Sequence, residues 1–116
     1  MKKVLIIEDD KYFLDLLVPL LEEKGYIMDV AEDGLSAIKT LQNASYDVIL
    51  LDRNLPHVNG EEILNLIKMQ SSPPRVIVIT GDPQKNTKQE MFFQGADAFL
   101  EKPFDVKTLI KFIEKV

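Results

Sequence analysis

Three short apolar runs, each unbroken by a polar residue, constrain the fold of this chain more than any other feature of its sequence. They lie at residues 4–7, 48–51 and 76–79 and are rich in Val and Ile. A strand with one solvated face alternates apolar and polar residues, whereas a parallel strand covered on both faces reads as a continuous apolar run. The three runs therefore predict buried parallel strands.

Weaker strand candidates at residues 27–31 and 98–101 bring the predicted number of strands to five. Between the strands, apolar residues recur with helical spacing: Phe13, Leu17, Leu20 and Leu21; residues 35–41; Ile63, Leu66 and Ile67; and Val106, Leu109, Ile110 and Ile113. Segment 85–94 is the weakest helix candidate, because its apolar residues are adjacent instead of spaced. Alternating strands and helices predict an α/β fold whose mostly parallel sheet carries helices on both faces.

Residues that favour helix ends stand at several of the predicted boundaries. The N-cap candidates are Asp33, Asp105 and Asn59, the last with Glu62 at capping-box spacing. Gly25 and Gly95 follow predicted helices, where a left-handed residue often ends a helix. Pro19 lies inside the first predicted helix and should kink it, because proline removes a backbone hydrogen bond.

Length, charge and composition exclude several classes of protein. The 116 residues suit one domain, so residues 1–116 are predicted to form a single unit. A net charge of -5 opposes binding to a phosphate backbone, so direct nucleic-acid binding is not expected. The absence of cysteine excludes disulfides, thiolate metal sites and cysteine nucleophiles. Glu8 interrupts the apolar start too early for a signal peptide, and no apolar run is long enough for a membrane span, so a cytoplasmic protein without a membrane partner is expected.

Polar side chains gather where the predicted strands end. They are Glu8, Asp9 and Asp10 after the first strand, Asp52 after the third, Thr80 after the fourth and Lys102 after the fifth. In an open parallel sheet, ligands bind beyond the carboxyl ends of the strands. Clustered carboxylates repel one another unless a cation neutralises them, and oxygen ligands suit Mg²⁺. Together these groups form a set suited to phosphoryl transfer onto an Asp nucleophile.

Each of these residues also has a simpler interpretation. Asp10 alone is a helix cap, a single Asp at a strand end is a cap or turn residue, Thr80 is a strand residue and Lys102 is a surface lysine. The metal interpretation is favoured because chance rarely places all of them at one edge of a sheet. His57 lies in a loop rich in turn-forming residues and is assigned no ligand role.

Four segments, in this order and at these separations, resemble the receiver domain of two-component response regulators. They are VLIIEDD at 4–10, DVILLDRNLP at 47–56 with Asn59 and Gly60, VIVITG at 76–81 and FLEKPF at 99–104. The resemblance extends along essentially the whole chain. It implies a flavodoxin-like (βα)5 three-layer sandwich with a parallel sheet of strand order 2-1-3-4-5.

The resemblance also implies a function in two-component phosphorelay signalling. Asp52 would accept a phosphoryl group from a histidine of a sensor histidine kinase or of a phosphotransfer protein. Glu8, Asp9, Asp52 and the backbone carbonyl of Asn54 would hold Mg²⁺, with one of the acids binding through water. The chain would then be a phosphoacceptor switch that assists its own phosphorylation and dephosphorylation, not an enzyme acting on a separate substrate.

Further roles implied by the resemblance concern the phosphorylated state. Lys102 would pair with the phosphoryl oxygens, Thr80 would hydrogen-bond one of them, and the Lys102-Pro103 peptide would be cis. Phe99 stands at the aromatic switch position of the family. Phosphorylation would shift the population toward one conformer, read by an output domain or protein on the face formed by the family's fourth helix, fifth strand and fifth helix.

Two positions that tune hydrolysis in the family are Asn54 and Asp82 in this sequence. Their small polar side chains should let water approach the phosphoryl group, which predicts a short-lived acyl phosphate.

Three alternatives differ in class from this interpretation. A Mg²⁺-dependent phosphatase with an Asp nucleophile fits the metal and the lysine, but Asp-x-Asp-x-Thr is expected after its first strand, where this chain has Glu8-Asp9-Asp10-Lys11-Tyr12. A flavodoxin-like cofactor carrier needs a phosphate loop rich in glycine and hydroxyl groups at the same place. A degenerate receiver acting as a constitutive interaction module is disfavoured, because every expected site residue is present.

Overall fold

A computed structural model describes residues 2–53, 55, 60–81 and 95–115. Its strands are β1 (Lys3–Ile7), β2 (Ile27–Ala31), β3 (Val48–Asp52), β4 (Arg75–Thr80) and β5 (Ala98–Glu101), and its helices are α1 (Lys11–Glu23), α2 (Gly34–Asn43), α3 (Gly60–Lys68) and α4 (Val106–Glu114). All five predicted strands are present. The predicted helix at 85–94, the Asn59 cap, His57 and the two hydrolysis-tuning positions lie outside the described residues.

The five strands form one parallel sheet in the order β2-β1-β3-β4-β5. This order confirms the predicted α/β fold class and the flavodoxin-like topology. Because β1 and β3 lie at the centre, the reversal of strand order places their carboxyl ends side by side, which is where a doubly wound sheet opens a crevice.

Two hydrophobic cores cover the two faces of the sheet and explain why the strand sequences are unbroken. Alternate strand residues such as Val4, Ile6 and Leu50 pack with buried side chains of α1 and α4. The intervening residues, such as Leu5 and Ile49, pack with those of α2 and α3. Since successive strand side chains point to opposite faces, a strand with helices on both sides needs apolar residues at every position.

Three aspartates begin helices by side-chain capping. The Asp10 carboxylate accepts from the backbone N–H groups of Tyr12 and Phe13, that of Asp33 from Ser36, and that of Asp105 from Lys107. The caps predicted at Asp33 and Asp105 are therefore confirmed, as is the simpler interpretation of Asp10. Gly25 follows the end of α1 with φ of 92°, the left-handed conformation predicted for it, and α1 continues beyond Pro19 to Glu23.

Two leucines of the apolar helix faces seen in the sequence are exposed. Leu20 is 42% exposed and Leu66 is 47% exposed, whereas Leu14, Leu17 and Leu21 in α1 and Ile63, Leu64 and Ile67 in α3 are buried. At about 100° per residue, each exposed leucine lies roughly 100° around its helix from the centre of the buried residues. The apolar stripe in the sequence is wider than the face that contacts the sheet.

Among the described helices, none has both the length and the apolar character required to cross a membrane.

Candidate functional site

The register of the central strands brings two carboxylates together. Ile7, the last residue of β1, pairs with Leu51 of β3. Glu8 and Asp52 each follow one member of this pair, so both stand at the carboxyl edge of the sheet on neighbouring strands. Parallel pairing with this register therefore places side chains 44 positions apart in the sequence next to each other.

The same stepwise register continues toward β5. Asp52 pairs with Ile79, so Thr80 lies one position beyond the pair. Thr80 pairs with Glu101, and Lys102 follows directly, its backbone N–H donating to the carbonyl of Thr80 at 2.7 Å. From β1 through β3 and β4 to β5, each strand extends one step further than its neighbour, and Glu8, Asp52, Thr80 and Lys102 therefore line one edge of the sheet.

Glu8, Asp9 and Asp52 form a group of carboxylates with the geometry of a cation site. One oxygen from each lies within 4.8 Å of the other two. Glu8 is 2% exposed and Asp52 is 8% exposed, while Asp9 faces solvent. The donor set fits Mg²⁺, a hard cation that prefers oxygen ligands, binds through one or two carboxylates and retains waters. Asp10 follows in the sequence, but its carboxylate caps α1 instead.

Glu8 has the most perturbed environment among the described acidic groups of the site. Its Oε2 accepts from the backbone N–H groups of Asp9 and Asp10 at 3.0 and 3.3 Å, and its Oε1 accepts from Nζ of Lys102 at 2.5 Å. Burial and the hydrogen bond with Asp52, opposed by Lys102, together raise the pKa of Glu8 to about 7. The pocket therefore disfavours adjacent negative charges and would be stabilised by a cation.

Lys102 approaches this pocket from the end of β5. The peptide bond between Lys102 and Pro103 is cis, as the resemblance implied. Besides its ion pair with Glu8, the Lys102 ammonium lies 4.3 Å from the centre of the Phe13 ring. The sequence analysis placed Phe13 only on an apolar helix face. A signal for its second role was available, because helix α1 begins directly after the acidic run and its first turn therefore lies at this edge.

Thr80 and Phe99 complete the described surroundings of the site. Thr80 is fully buried at the end of β4. Phe99 is 8% exposed and belongs to the core on the α2 and α3 face. Both side chains are thus buried in this conformation.

Arg53 connects the end of β3 to α3. Its backbone N–H donates to the Ile79 carbonyl at 2.9 Å, and its own carbonyl accepts from the N–H of Gly60 at 3.1 Å. Its guanidinium Nε lies 2.9 Å from Oε1 of Glu61. Since Arg53 follows Asp52 directly, these contacts restrain the chain on which the central carboxylate sits. The sequence analysis assigned no role to Arg53 or Glu61.

Comparison with known proteins identifies the family of this fold and site. The family model for the response regulator receiver domain matches residues 4–114. Response regulator ArlR of Staphylococcus saprophyticus is 34% identical over 110 residues, which are 95% of this chain and 50% of that protein. The chain spans about half the length of the curated relatives it matches.

Two solved structures show the same likeness. Chemotaxis protein CheY4 of Vibrio cholerae superposes with a TM-score of 0.91 at 33% identity, covering 100% of this chain and 98% of that one. A response regulator from Burkholderia pseudomallei, with a phosphorylated aspartic acid, a calcium ion and citrate, gives a TM-score of 0.89 at 27% identity, covering 99% of this chain and 68% of that one. The chain belongs to the receiver domain family of two-component response regulators.

Proposed function

We propose that this receiver is a phosphorylation-controlled switch in which Asp52 accepts a phosphoryl group from a histidine of a sensor histidine kinase or of a phosphotransfer protein. One observation carries the proposal: oxygens of Glu8, Asp9 and Asp52 lie within 4.8 Å of one another while Lys102 contacts Glu8 from β5. A carboxylate nucleophile, a cation site and an ammonium thus meet at one edge. These are the parts needed to position and neutralise a transferring phosphoryl group.

The reaction exchanges one bond to phosphorus for another. A carboxylate oxygen of Asp52 attacks the phosphorus of phosphohistidine, the P–N bond breaks, and its electron pair returns to the imidazole. Hydrolysis reverses the modification when water attacks phosphorus and the carboxylate leaves. Bound Mg²⁺ would supply charge neutralisation and orientation for phosphoryl oxygens.

The residues of this chain divide the remaining tasks. Glu8, Asp9, Asp52 and the backbone carbonyl of Asn54 are the proposed ligands of Mg²⁺. The Lys102 ammonium compensates the negative charge of the phosphoryl group, to which it can turn from Glu8 because lysine is a flexible point charge. The hydroxyl of Thr80 donates to a phosphoryl oxygen after transfer. Asn54 lies outside the described residues, so its role rests on the family resemblance.

The switch acts through a population shift. The phosphoryl group offers contacts to Thr80 and Lys102 that one conformer provides better than another, and this difference in affinity biases the equilibrium. Both residues connect directly to β5, which carries the buried Phe99. We propose the family's fourth helix, fifth strand and fifth helix as the face that an output domain or protein reads; the last of these is α4 here.

The wider assignment follows from the same family membership. We propose that residues 1–116 form one receiver domain, that it works in the cytoplasm, and that it controls its output without itself contacting nucleic acid, consistent with its net charge of -5. The family match does not favour the phosphatase alternative. The phosphorylated aspartic acid of the Burkholderia relative supports Asp52 as the acceptor in this chain.

Intact mass spectrometry after incubation with acetyl phosphate tests the proposal. Wild-type protein should gain the mass of one phosphoryl group when Mg²⁺ is present and far less when it is chelated. Asp52→Asn, which keeps the shape of the side chain but removes the nucleophilic carboxylate, should gain none.

Asp47→Asn is a matched control, because Asp47 precedes β3 at the opposite end of the strand and accepts from the Lys3 backbone N–H at 2.8 Å. This variant should be modified like wild type. Phosphorylation of Asp52→Asn to the wild-type level, or steady release of phosphate from monoesters by wild type, would overturn the assignment.

A further inference from the structure

Phe13 lies against the lysine of the proposed site. Its ring centre is 4.3 Å from Nζ of Lys102, within the distance at which a cation is attracted to the face of an aromatic ring. The Lys102 side chain is 24% exposed, so the contact is partly withdrawn from water, where such an attraction is stronger. The ring therefore contributes to where the ammonium rests.

A closed circuit of contacts holds the ring in this place. Oε2 of Glu8 accepts from the N–H of Asp10, and the Asp10 carboxylate accepts from the N–H of Phe13 at 3.2 Å. The Phe13 ring faces Lys102, and Lys102 donates back to Oε1 of Glu8. The backbone of Phe13 is thus positioned by the same acidic run that forms the proposed cation site.

A second aromatic side chain fixes the orientation of the ring. Phe104 meets Phe13 edge to face, with ring centres 5.7 Å apart and planes inclined by 71°. Such a geometry is favoured by the ring quadrupoles. Phe104 follows the cis Lys102-Pro103 peptide, so the segment that carries the lysine also packs against the Phe13 ring.

The Phe13 ring can attract the Lys102 ammonium without carrying a formal charge, which a carboxylate at the same place could not do. The Lys102 ammonium contacts Glu8 and Phe13, and Glu8 is also a proposed ligand of Mg²⁺. An ion at Glu8 competes with Lys102 for that carboxylate, whereas the ring attracts the ammonium without adding a formal charge. A carboxylate in the place of Phe13 would repel the incoming phosphoryl group.

We propose that Phe13 is a positioning residue for phosphoryl transfer, which keeps the Lys102 ammonium at the site when Glu8 turns to the metal. The inference rests on the proposed function of Asp52. Loss of the ring should lower the rate of phosphorylation by acetyl phosphate at saturating Mg²⁺ by about fivefold, the magnitude of a partly solvated cation–π contact. The affinity for Mg²⁺ should change by less than about twofold, since the ring is not a ligand.

The test compares Phe13→Leu, Phe13→Tyr and Leu20→Ala with wild type. Phe13→Tyr keeps an aromatic face and should retain the wild-type rate, whereas Phe13→Leu should not. Leu20→Ala is the matched control, because Leu20 lines the same groove on α1 as Phe13, and its truncation also changes the packing there. Its phosphorylation rate should stay near that of wild type.

A double-mutant cycle separates positioning from packing. In a Lys102→Gln background, Phe13→Leu should cause no further loss of rate, because the partner of the ring has been removed. Equal losses in both backgrounds, or equal losses in Phe13→Leu and Leu20→Ala, would refute the proposal.

One observation needs no substitution at Phe13 and decides the matter even if Phe13→Leu does not fold. The ε-methylene proton signals of Lys102 in wild type, assigned with Lys102→Gln, should be shifted upfield of those of the other lysines by the ring current of Phe13. Unshifted signals would refute the contact. Failure of wild type to be phosphorylated at Asp52 would instead overturn the proposed function, so the two failures are distinguishable.

Discussion

Replacing Gly60 with alanine tests how tightly the start of α3 holds the chain beside Asp52. A Cβ at Gly60 would lie 2.8 Å from the Cα of Arg53 and 2.9 Å from its carbonyl oxygen. Both neighbours are backbone atoms, and Arg53 is restrained by hydrogen bonds to Ile79 and Gly60 and by the ion pair with Glu61. Either α3 or the end of β3 must therefore move.

The magnitude follows from two opposing effects. Overpacking of a well-packed site costs about 1–3 kcal/mol, and alanine recovers at most about 1 kcal/mol over glycine through helix propensity. We therefore expect Gly60→Ala to lower the free energy of unfolding by about 1–2 kcal/mol. For a domain of this size, the corresponding fall in melting temperature is about 4–8 °C. The displaced Arg53 should also slow phosphorylation of Asp52, because a misplaced nucleophile loses the geometry of attack.

Thermal and urea unfolding measure the stability, and mass spectrometry measures the phosphorylation rate. Gly81→Ala is the matched control for stability: Gly81 lies just after β4 without a positive φ, and no described atom lies within 4 Å of its Cβ position. It should be as stable as wild type or more stable by about 0.4–1 kcal/mol. Wild-type stability of Gly60→Ala would refute the reasoning, as would the same loss in Gly81→Ala.

Three further predictions concern other parts of the molecule. Burial and the hydrogen bond with Glu114 raise the pKa of Tyr26 to about 12, so the folded state keeps this proton to higher pH than the unfolded state does. The resulting contribution to stability is present below pH 10 and lost as pH rises toward 12, so the free energy of unfolding in urea should fall more steeply with pH in wild type than in Tyr26→Phe. Equal slopes would contradict the assignment. Removing the N-cap of α1 with Asp10→Ala should lower the free energy of unfolding in urea by about 1 kcal/mol. Asp10→Asn can still accept the hydrogen bonds from Tyr12 and Phe13, so it should lower that free energy less. Equal losses would exclude capping as the cause. Asn54→Leu and Asp82→Leu should lengthen the life of the acyl phosphate, measured as loss of the added mass with time, because an apolar side chain obstructs the attacking water; an unchanged lifetime would count against that role.

Much of the fold could be predicted because its signals are local. The strands at 27–31 and 98–101 have the predicted bounds, and the central runs were recognised because a strand covered on both faces has no polar positions. Caps at Asp33 and Asp105 depend on a side chain and a backbone N–H two or three residues away, so they too can be identified from the sequence. The exposure of Leu20 and Leu66 could not be predicted from the sequence, because it depends on how each helix is rotated against the sheet.

The candidate site shows the same division. That acids, a hydroxyl and a lysine would reach one edge followed from their positions at strand ends in a parallel sheet. The sequence could not predict which acid contacts the lysine, because Glu8, Asp9 and Asp10 are adjacent. In the structure their positions differ: Glu8 is buried against Lys102, Asp9 is exposed and Asp10 caps a helix. The predictions for Asn54, His57 and Asp82 concern positions outside the described residues.

By itself the sequence determined the strands and helices of the described residues, the class of fold and the kinds of chemistry at the sheet edge, because apolar periodicity and capping are set by neighbours along the chain. The tertiary structure alone decided which side chains meet. Glu8 and Lys102 are 94 residues apart, and Phe13 reaches the lysine only when α1 packs against the segment that follows β5. Such contacts depend on the packing of whole elements against one another, a property that no short stretch of sequence encodes.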